Sequence, residues 1–264
     1  MNINFILLTL TLIFSVKAKA IYGGYEVNQM VLNHVVNIKH ERGLCSGSIV
    51  SPNTILSAAH CMDMFGAPEF AVLYNPDGPP QKCDISNIID TAYAPNAEAI
   101  LPLNVHAPDL LLLKLEKPLC SGNIAIFSNE SLKVGDEVLH TGYGAGSGVL
   151  YETNEIALKI IGSENVSELT TNTSSLTRRL LQTGIDYYLF AIPVIENTTA
   201  CHGDSGGPVY LRNNNKLQIF AVNGAVLSNQ YLGADSCNQG YLHMISPVKP
   251  YLKWIQLTIE FWSE

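Results

Sequence analysis

From Ile21 to Pro247 short β-prone runs alternate with turn residues, and no amphipathic helical pattern appears among them. A chain written this way can bury its apolar faces only by packing strand on strand, so it is expected to be all-β. Ser48-Ile49-Val50 and Thr54-Ile55-Leu56 flank Ser51-Pro52-Asn53 as the arms of a hairpin would. Leu110 to Leu113 is a continuous apolar run, the signature of a strand buried on both faces. Glu137-Val138-Leu139, Tyr187 to Ile192, Val209-Tyr210-Leu211 and Leu217 to Val222 supply further strands. Only from Val248 to Phe261 do apolar residues recur at helical spacing, at Val248, Tyr251, Leu252, Ile255 and Ile259, which predicts one C-terminal helix packed on the rest.

With 264 residues, 47% of them hydrophobic, the chain can form one large domain or two fused halves, and Lys114 to Val134 carries the turn signals of a joint between halves. The formal net charge of −8 argues against nucleic acid or an anionic membrane as partner, because phosphate neutralisation needs clustered Lys and Arg. Met1 to Ala20 is set apart. An apolar run from Phe5 to Val16 is followed by Ala18-Lys19-Ala20, with small residues where a signal peptidase requires them, and it is too short to span a bilayer. The expectation is a signal peptide over 1–20, a mature chain over 21–264, and a secreted, extracellular protein. Six cysteines, an even number, fit an oxidising compartment and three disulfides, and no CxxC or HxxxH spacing points to a metal. Asn129, Asn165, Asn172 and Asn197 each open an NxS/T sequon, so their segments are expected on the surface as glycosylation sites.

The chemistry concentrates in Cys201-His202-Gly203-Asp204-Ser205-Gly206-Gly207-Pro208. A serine hydroxyl is a poor nucleophile at neutral pH and needs an activating base. The glycines allow close backbone approach, and the N–H groups of Gly203 and Ser205 could converge on a developing oxyanion. Asp204 opposes that negative charge unless it is turned inward onto a buried cation. His60, in Ser57-Ala58-Ala59-His60-Cys61, offers an imidazole suited to take a proton near pH 7. Asp109, at the start of the apolar run, is a carboxylate that burial penalises unless something such as an imidazole N–H satisfies it. Ser205 also falls in a GxSxG pattern followed by Asp235 and His243, the order of an α/β-hydrolase. That elbow must lead into a helix, whereas Pro208-Val209-Tyr210-Leu211 reads as a strand.

Ser57-Ala58-Ala59-His60-Cys61, Pro108-Asp109-Leu110-Leu111 and Cys201 to Pro208, taken in that order, closely resemble the chymotrypsin-like (trypsin-fold) serine protease family. The resemblance extends over essentially the whole mature chain, with Ile21-Tyr22-Gly23-Gly24 similar to an activated N-terminus and Gly142-Tyr143-Gly144 similar to the family's Gly-Trp-Gly. It implies two six-stranded antiparallel β-barrels, about 21–125 and 126–247, with a helix about 248–262 and the site in the cleft between the barrels. His60 then corresponds to the general base, Asp109 to its orienter and Ser205 to the nucleophile, with Gly203 and Ser205 forming the oxyanion hole. The α-amino group of Ile21 becomes the cation for Asp204. Cys45 and Cys61 match one family bridge, Cys201 and Cys237 another, which leaves Cys83 and Cys120 to pair with each other.

The same resemblance puts Thr199 at the base of the primary specificity pocket and Gly224 and Gly240 on its walls. Thr199 is neutral, so a preference for apolar or aromatic side chains is expected rather than for Arg or Lys. Aligned on Lys216-Leu217-Gln218, the family's Ser-Trp-Gly segment reads Val222-Asn223-Gly224. Val222 would thus replace a serine that supports Asp109, and Asn223 a tryptophan that packs on substrate. Signal cleavage after Ala20 would itself free the Ile21 amine, whereas cleavage after Ala18, which Val16-Lys17-Ala18 also suits, would leave Lys19-Ala20 to be trimmed. The expectation is a monomeric serine endopeptidase without cofactor, acting on protein or peptide substrates and open to protein inhibitors. The competing expectation is a secreted homologue that binds through its cleft with little turnover.

Overall fold

The computed structural model describes residues 21–26, 33–73, 81–100, 105–120, 122–144, 154–162, 165–166, 187–213, 216–228 and 240–264. In chain order the elements are β1 (Tyr25–Glu26), β2 (Val35–His40), β3 (Gly43–Ser51), β4 (Thr54–Ser57), α1 (His60–Phe65), β5 (Pro68–Leu73), β6 (Ile85–Tyr93), β7 (Glu98–Ile100), β8 (Val105–Ala107) and β9 (Leu111–Leu115). They continue with β10 (Glu137–Gly142), β11 (Asn154–Ile161), β12 (Leu189–Pro193), β13 (Pro208–Asn213), β14 (Lys216–Ser228), β15 (Gly240–Pro247) and α2 (Leu252–Ser263). Among the described residues the fold is all-β apart from α1, α2, a helical stretch at 165–166 and short 3-10 turns, as the alternation of runs and turns predicts.

Strands β2, β3, β4, β9, β6 and β5 close in that order into one antiparallel barrel. The expected hairpin is β3–β4, with Ser48 opposite Leu56 and Ile49 opposite Ile55. The apolar run at Leu110 to Leu113 has no exposed residue and enters β9, which lies between β4 and β6. Its continuous hydrophobicity follows from packing against the barrel interior on one face and the neighbouring layer on the other. A disulfide joins Cys45 on β3 to Cys61 on α1, and a second joins Cys83 to Cys120. Closing loops of 16 and 37 residues restricts the unfolded chain by about 3 and about 4 kcal/mol in the chain-entropy picture.

The second barrel is the ring β11, β10, β13, β14, β15 and β12, closed by pairing of β12 with β11. Here β1 adds to β11, Tyr25 opposite Glu155, and Tyr22 bridges Thr199. Residues 21–26 therefore belong to the second barrel, although the sequence boundaries put them with the first. Ile21 is wholly buried there, among Val138, Ile156, Leu158 and Ile245. β14 runs to Ser228, past the expected end at Val222, and carries irregularities between Asn223 and Ala225 and between Leu227 and Ser228. Such bulges re-aim side chains and shift register, with consequences at the site below.

Between the barrels the polar contacts are buried. His34 shares a 2.7 Å hydrogen bond with the Tyr210 hydroxyl, and the Tyr143 hydroxyl donates to the Val35 carbonyl at 3.1 Å. The helix α2 docks Ile255 and Trp262 into the apolar cluster that includes the first barrel's core, Tyr143 and Tyr210. Among the described residues no helix is long and apolar enough to cross a membrane. Asn129, Asn165 and Asn197 are exposed, and Asn172 lies outside the described residues. Cys201 is disulfide-bonded, while its expected partner Cys237 lies outside the described residues.

Candidate active site

His60 opens α1, the turn of helix that follows β4, and Asp109 precedes β9, which pairs with β4. Strand pairing therefore brings together two residues 49 positions apart. The His60 ring donates from Nδ1 to Asp109 Oδ2 at 2.7 Å, and the His60 main-chain N–H donates to Oδ1 at 2.8 Å. The Asp109 main-chain N–H donates in turn to Ser246 Oγ on β15 at 3.2 Å, which anchors the carboxylate to the second barrel. Asp109 is fully buried, and the His60 side chain keeps 4% of its surface open. Burial works to lower the His60 pKa, but the Asp109 charge and hydrogen bond, helped by Asp63, outweigh it and hold the group above its ordinary 6.5. Such a pair fixes the ring orientation and leaves Nε2 for chemistry.

Ser205 sits at the second barrel's edge of the interface, in a turn where Gly203 and Gly206 have φ of 92° and 80°. These are left-handed values that favour glycine. The turn is tied almost everywhere. The Gly203 carbonyl accepts from Ser46 Oγ at 2.7 Å, the Ser205 carbonyl from the Ser46 N–H at 2.7 Å and the Asp204 carbonyl from the Gly207 N–H at 3.0 Å. The Asp204 N–H donates to Cys201 and the Gly206 N–H to Asn223. Among the described residues the N–H groups of Gly203 and Ser205 donate to nothing. These two donors are the ones named from the sequence. Gly206 packs against Ser57 and Ala58, so the serine turn lies beside the segment that leads into His60, and Ser205 itself is half-buried. No hydrogen bond joins the Ser205 hydroxyl to His60 among the described residues, a looseness common in unliganded sites.

Asp204 is turned inward and fully buried. It accepts from the Cys201 N–H at 2.7 Å and the Gly144 N–H at 2.8 Å, and no cation pairs with it among the described residues. Burial pushes its pKa well up, with the two N–H groups opposing. Ile21 is buried in the same barrel, and in the full chain its nitrogen is still an amide. Nearby, His140 and His243 stack edge to face at 6.3 Å, both fully buried. Burial lowers His140 to about 4, against the pull of the Asp204 main chain, and His243 to about 3, with His140 contributing. Neither His140 ring nitrogen has a hydrogen-bond partner among the described residues. Sequence reasoning missed this pair, and two histidines at inward strand positions are the signal that could have found it.

Thr199 is buried, and its hydroxyl lies 3.5 Å from His243 Nε2. Gly240 opens β15. Gly224 stands against Asp109, where a Cβ would lie 3.1 Å from Oδ2 and 3.0 Å from the Tyr188 ring. The position facing the orienting carboxylate is therefore Gly224, whereas Val222 packs in the core and pairs with Ser246. Asn223 is likewise no substrate platform. It is buried, and its side-chain amide donates to the Asp204 carbonyl at 3.4 Å. Ser46 also went unread, since a lone serine beside a cysteine carries no motif. Of the α/β-hydrolase set, His243 is committed to the barrel interior, Asp235 lies outside the described residues, and Pro208 leads into a strand. The clusters His40–Cys45–Cys61 and Cys83–Asp84–Cys120 have ligand-like spacing, but their cysteines are used in disulfides.

Comparison with known proteins converges with this geometry. The Trypsin family model matches residues 21–255. Trypsin I-P38 of Gallus gallus is 26% identical over 90% of this chain and 89% of its own length. Coagulation factor XII of Bos taurus is 23% identical over 84% of this chain, which spans only 37% of that protein. Among solved structures, neuropsin, a serine protease expressed in the limbic system of mouse brain, superposes with a TM-score of 0.63 at 16% identity, over 89% of this chain and 98% of its own. Human heparin binding protein superposes with a TM-score of 0.61 at 16% identity, over 90% and 96%. With a family match that begins at Ile21 and runs through both barrels into the final helix, the chain belongs to the trypsin family of chymotrypsin-like serine proteases.

Proposed function

We propose that the protein is a secreted serine endopeptidase that works through a Ser205, His60, Asp109 triad and an acyl-enzyme. The observation that carries this reading is the juxtaposition of the buried His60–Asp109 pair with a turn whose unbonded donors are the N–H groups of Gly203 and Ser205. Ser205 Oγ attacks the scissile carbonyl while His60 Nε2 takes its proton, and the two N–H groups receive the oxyanion. His60 then protonates the leaving amine, and water repeats the sequence on the ester. Asp109 keeps the imidazole in the required tautomer throughout.

The leader over 1–20, the disulfides and the exposed sequons at Asn129, Asn165 and Asn197 support export. Removal of the leader after Ala20 frees the Ile21 amine, and that amine supplies the cation Asp204 lacks. The complete burial of Ile21 in the second barrel supports this. A neutral Thr199 with uncharged His243 behind it supports apolar or aromatic residues before the scissile bond, rather than Arg or Lys.

The test is reaction of the purified mature chain with phenylmethylsulfonyl fluoride, followed by mapping of the modified residue, together with hydrolysis of a peptide library. Modification at Ser205 and loss of all turnover in a folded Ser205→Ala variant are expected. Hydrolysis that survives in Ser205→Ala refutes the assignment. A second reading, a homologue that binds through the cleft with little turnover, is favoured by Gly224, which leaves Asp109 without a side-chain hydroxyl at that position. A folded wild-type chain inert to the reagent would select it.

A further inference from the structure

The turn that carries Ser205 is glycine-rich, and two of its carbonyls, those of Gly203 and Ser205, are held by one residue of the opposite barrel. Ser46 on β3 is completely buried and spends its whole polar capacity on the contact. Its hydroxyl donates to the Gly203 carbonyl at 2.7 Å and accepts the Tyr143 N–H at 2.9 Å. Its N–H donates to the Ser205 carbonyl at 2.7 Å, and its carbonyl accepts the Ser57 hydroxyl at 2.8 Å. Because a peptide plane turns as a unit, gripping the Gly203 and Ser205 carbonyls limits the rotation left to the turn on either side of Asp204. The N–H groups left unbonded by this arrangement are those of Gly203 and Ser205.

Ser46 also stands next to Cys45, whose disulfide reaches Cys61, the neighbour of His60. The path from oxyanion turn to base thus runs through two hydrogen bonds and one covalent bridge. A rigid link of this kind sets where a tetrahedral intermediate would sit relative to the imidazole, and small misplacements there are expensive. Asn223 holds the same turn from the second barrel, through the Gly206 N–H at 2.9 Å and its own N–H to Gly207 at 2.9 Å. Those bonds are main chain and belong to any residue. The Ser46 hydroxyl is the side-chain grip from the opposite barrel, while the Asn223 amide, 3.4 Å from the Asp204 carbonyl, is one from within the second.

We propose that Ser46 is a positioning residue of the oxyanion site, its hydroxyl fixing the Gly203–Asp204 peptide, the plane between the two that carry the Gly203 and Ser205 N–H groups, so that those groups converge at the developing oxyanion. The inference rests on the protease reading above, and its test separates the two. Wild type, Ser46→Ala, Ser46→Gly and Ser46→Thr are compared on p-nitrophenyl acetate and on a peptide ester, with kcat normalised to the fraction of molecules that phenylmethylsulfonyl fluoride titrates. Partial misfolding therefore does not count as lost catalysis. For Ser46→Ala and Ser46→Gly kcat should fall about 10- to 100-fold, less than the ~10²- to 10³-fold cost of removing an oxyanion donor outright, with KM on the peptide ester held within about twofold. The inhibition constant of phenylboronic acid, whose tetrahedral adduct places an oxygen at the oxyanion position, should weaken by a similar factor. Ser46→Thr keeps the hydroxyl and should restore kcat to within about threefold of wild type. The pH at which activity rises should stay fixed in all four, because His60 and Asp109 are untouched. Unchanged kcat in Ser46→Ala or Ser46→Gly, a loss confined to KM, a shifted pH profile, or a Thr variant as slow as Ala overturns the proposal. An inert wild type instead overturns the protease reading.

Discussion

Among the described residues Asp109 in the first barrel and Asp204 in the second are wholly buried, and the two carboxylates are satisfied in different ways. Asp109, at the first barrel's edge, meets an imidazole and a main-chain N–H of the same residue, 2.7 and 2.8 Å away. Asp204, in the second, meets two main-chain N–H groups and no cation among the described residues, so burial drives its pKa well up. The first site is electrostatically complete within the chain as folded. The second has its donors in place but lacks the positive charge that would let the carboxylate ionise cheaply. On the proposed reading the base is complete in the chain as folded, and the charge that Asp204 lacks among the described residues comes from the Ile21 amine.

The largest effect should come from breaking the complete side. Asp109→Asn leaves the fold and removes the charge that fixes the His60 tautomer, and kcat should fall by about 10⁴-fold, the scale of this substitution in a Ser-His-Asp triad. The His60 pKa should fall as well, because the Asp109 charge and hydrogen bond oppose the lowering by burial. A pH–rate profile reads both effects, and a variant retaining a tenth of wild-type activity would break the comparison.

Asp204→Asn sharpens it from the other side, because its sign should depend on the N-terminus. A carboxylate whose folded pKa lies above its unfolded value costs stability as pH rises through that interval, so a chain still extended before Ile21 should gain thermal stability at pH 7 on neutralisation. In a chain that begins at Ile21, the same change strands a buried amine and should cost about 3–5 kcal/mol, with loss of activity. Thermal unfolding of both forms tests this. Equal shifts in the two would show that Ile21 is not the partner.

Acid should weaken the second barrel through its two buried histidines. His140 and His243 are held neutral, at about 4 and about 3, whereas unfolding returns them to 6.5. A histidine with a lowered folded pKa loses stability as pH falls from its unfolded value to its folded one, here from 6.5 down to about 4 and about 3. The loss is about 1.4 kcal/mol per pH unit for each histidine across that interval. His60 behaves oppositely, stabilising below 6.5 and losing that contribution as pH rises through its raised folded value, while activity is gained. Denaturant titrations of wild type and His140→Leu between pH 4 and 7 should converge as pH rises. Parallel curves would place the acid sensitivity elsewhere.

The smallest effects distinguish two neighbouring positions on β14. A Cβ at Gly224 would press on Asp109 Oδ2 and Tyr188, so Gly224→Ala should lower kcat by roughly tenfold through a small displacement of the orienting carboxylate. Val222→Ser should leave kcat within about twofold and cost about 1–3 kcal/mol for a hydroxyl buried in the core. If Val222→Ser instead raises kcat, Val222 and not Gly224 supports Asp109.

Much of the molecule is legible in the primary structure because it depends on short-range pattern. The continuous run at Leu110 to Leu113 is consistent with a strand covered on both sides, the β3–β4 hairpin is written around Pro52, and helical spacing returns only at the end. His60, Asp109 and Ser205 stand out through residue type and immediate context, and the spacing of Cys45 and Cys61 marks a bridge through the family resemblance. Register is another matter. Gly224 faces Asp109 beside an irregularity in the β14–β15 pairing, and nothing local in Val222-Asn223-Gly224 announces it. Residues 21–26 likewise join the second barrel by pairing with β11, a contact more than a hundred residues away in the chain.

Residue chemistry and periodicity, then, determine by themselves which side chains are able to react and which segments must be strands, since both follow from local composition. What only the tertiary structure decided is which groups face one another: Ser46 against the Gly203 and Ser205 carbonyls across the interface, Asn223 inward, His140 against His243 within the second barrel, and Asp204 with no cation among the described residues. Those outcomes depend on strand register and barrel closure, which are set by many weak, distant contacts acting together rather than by any local signal.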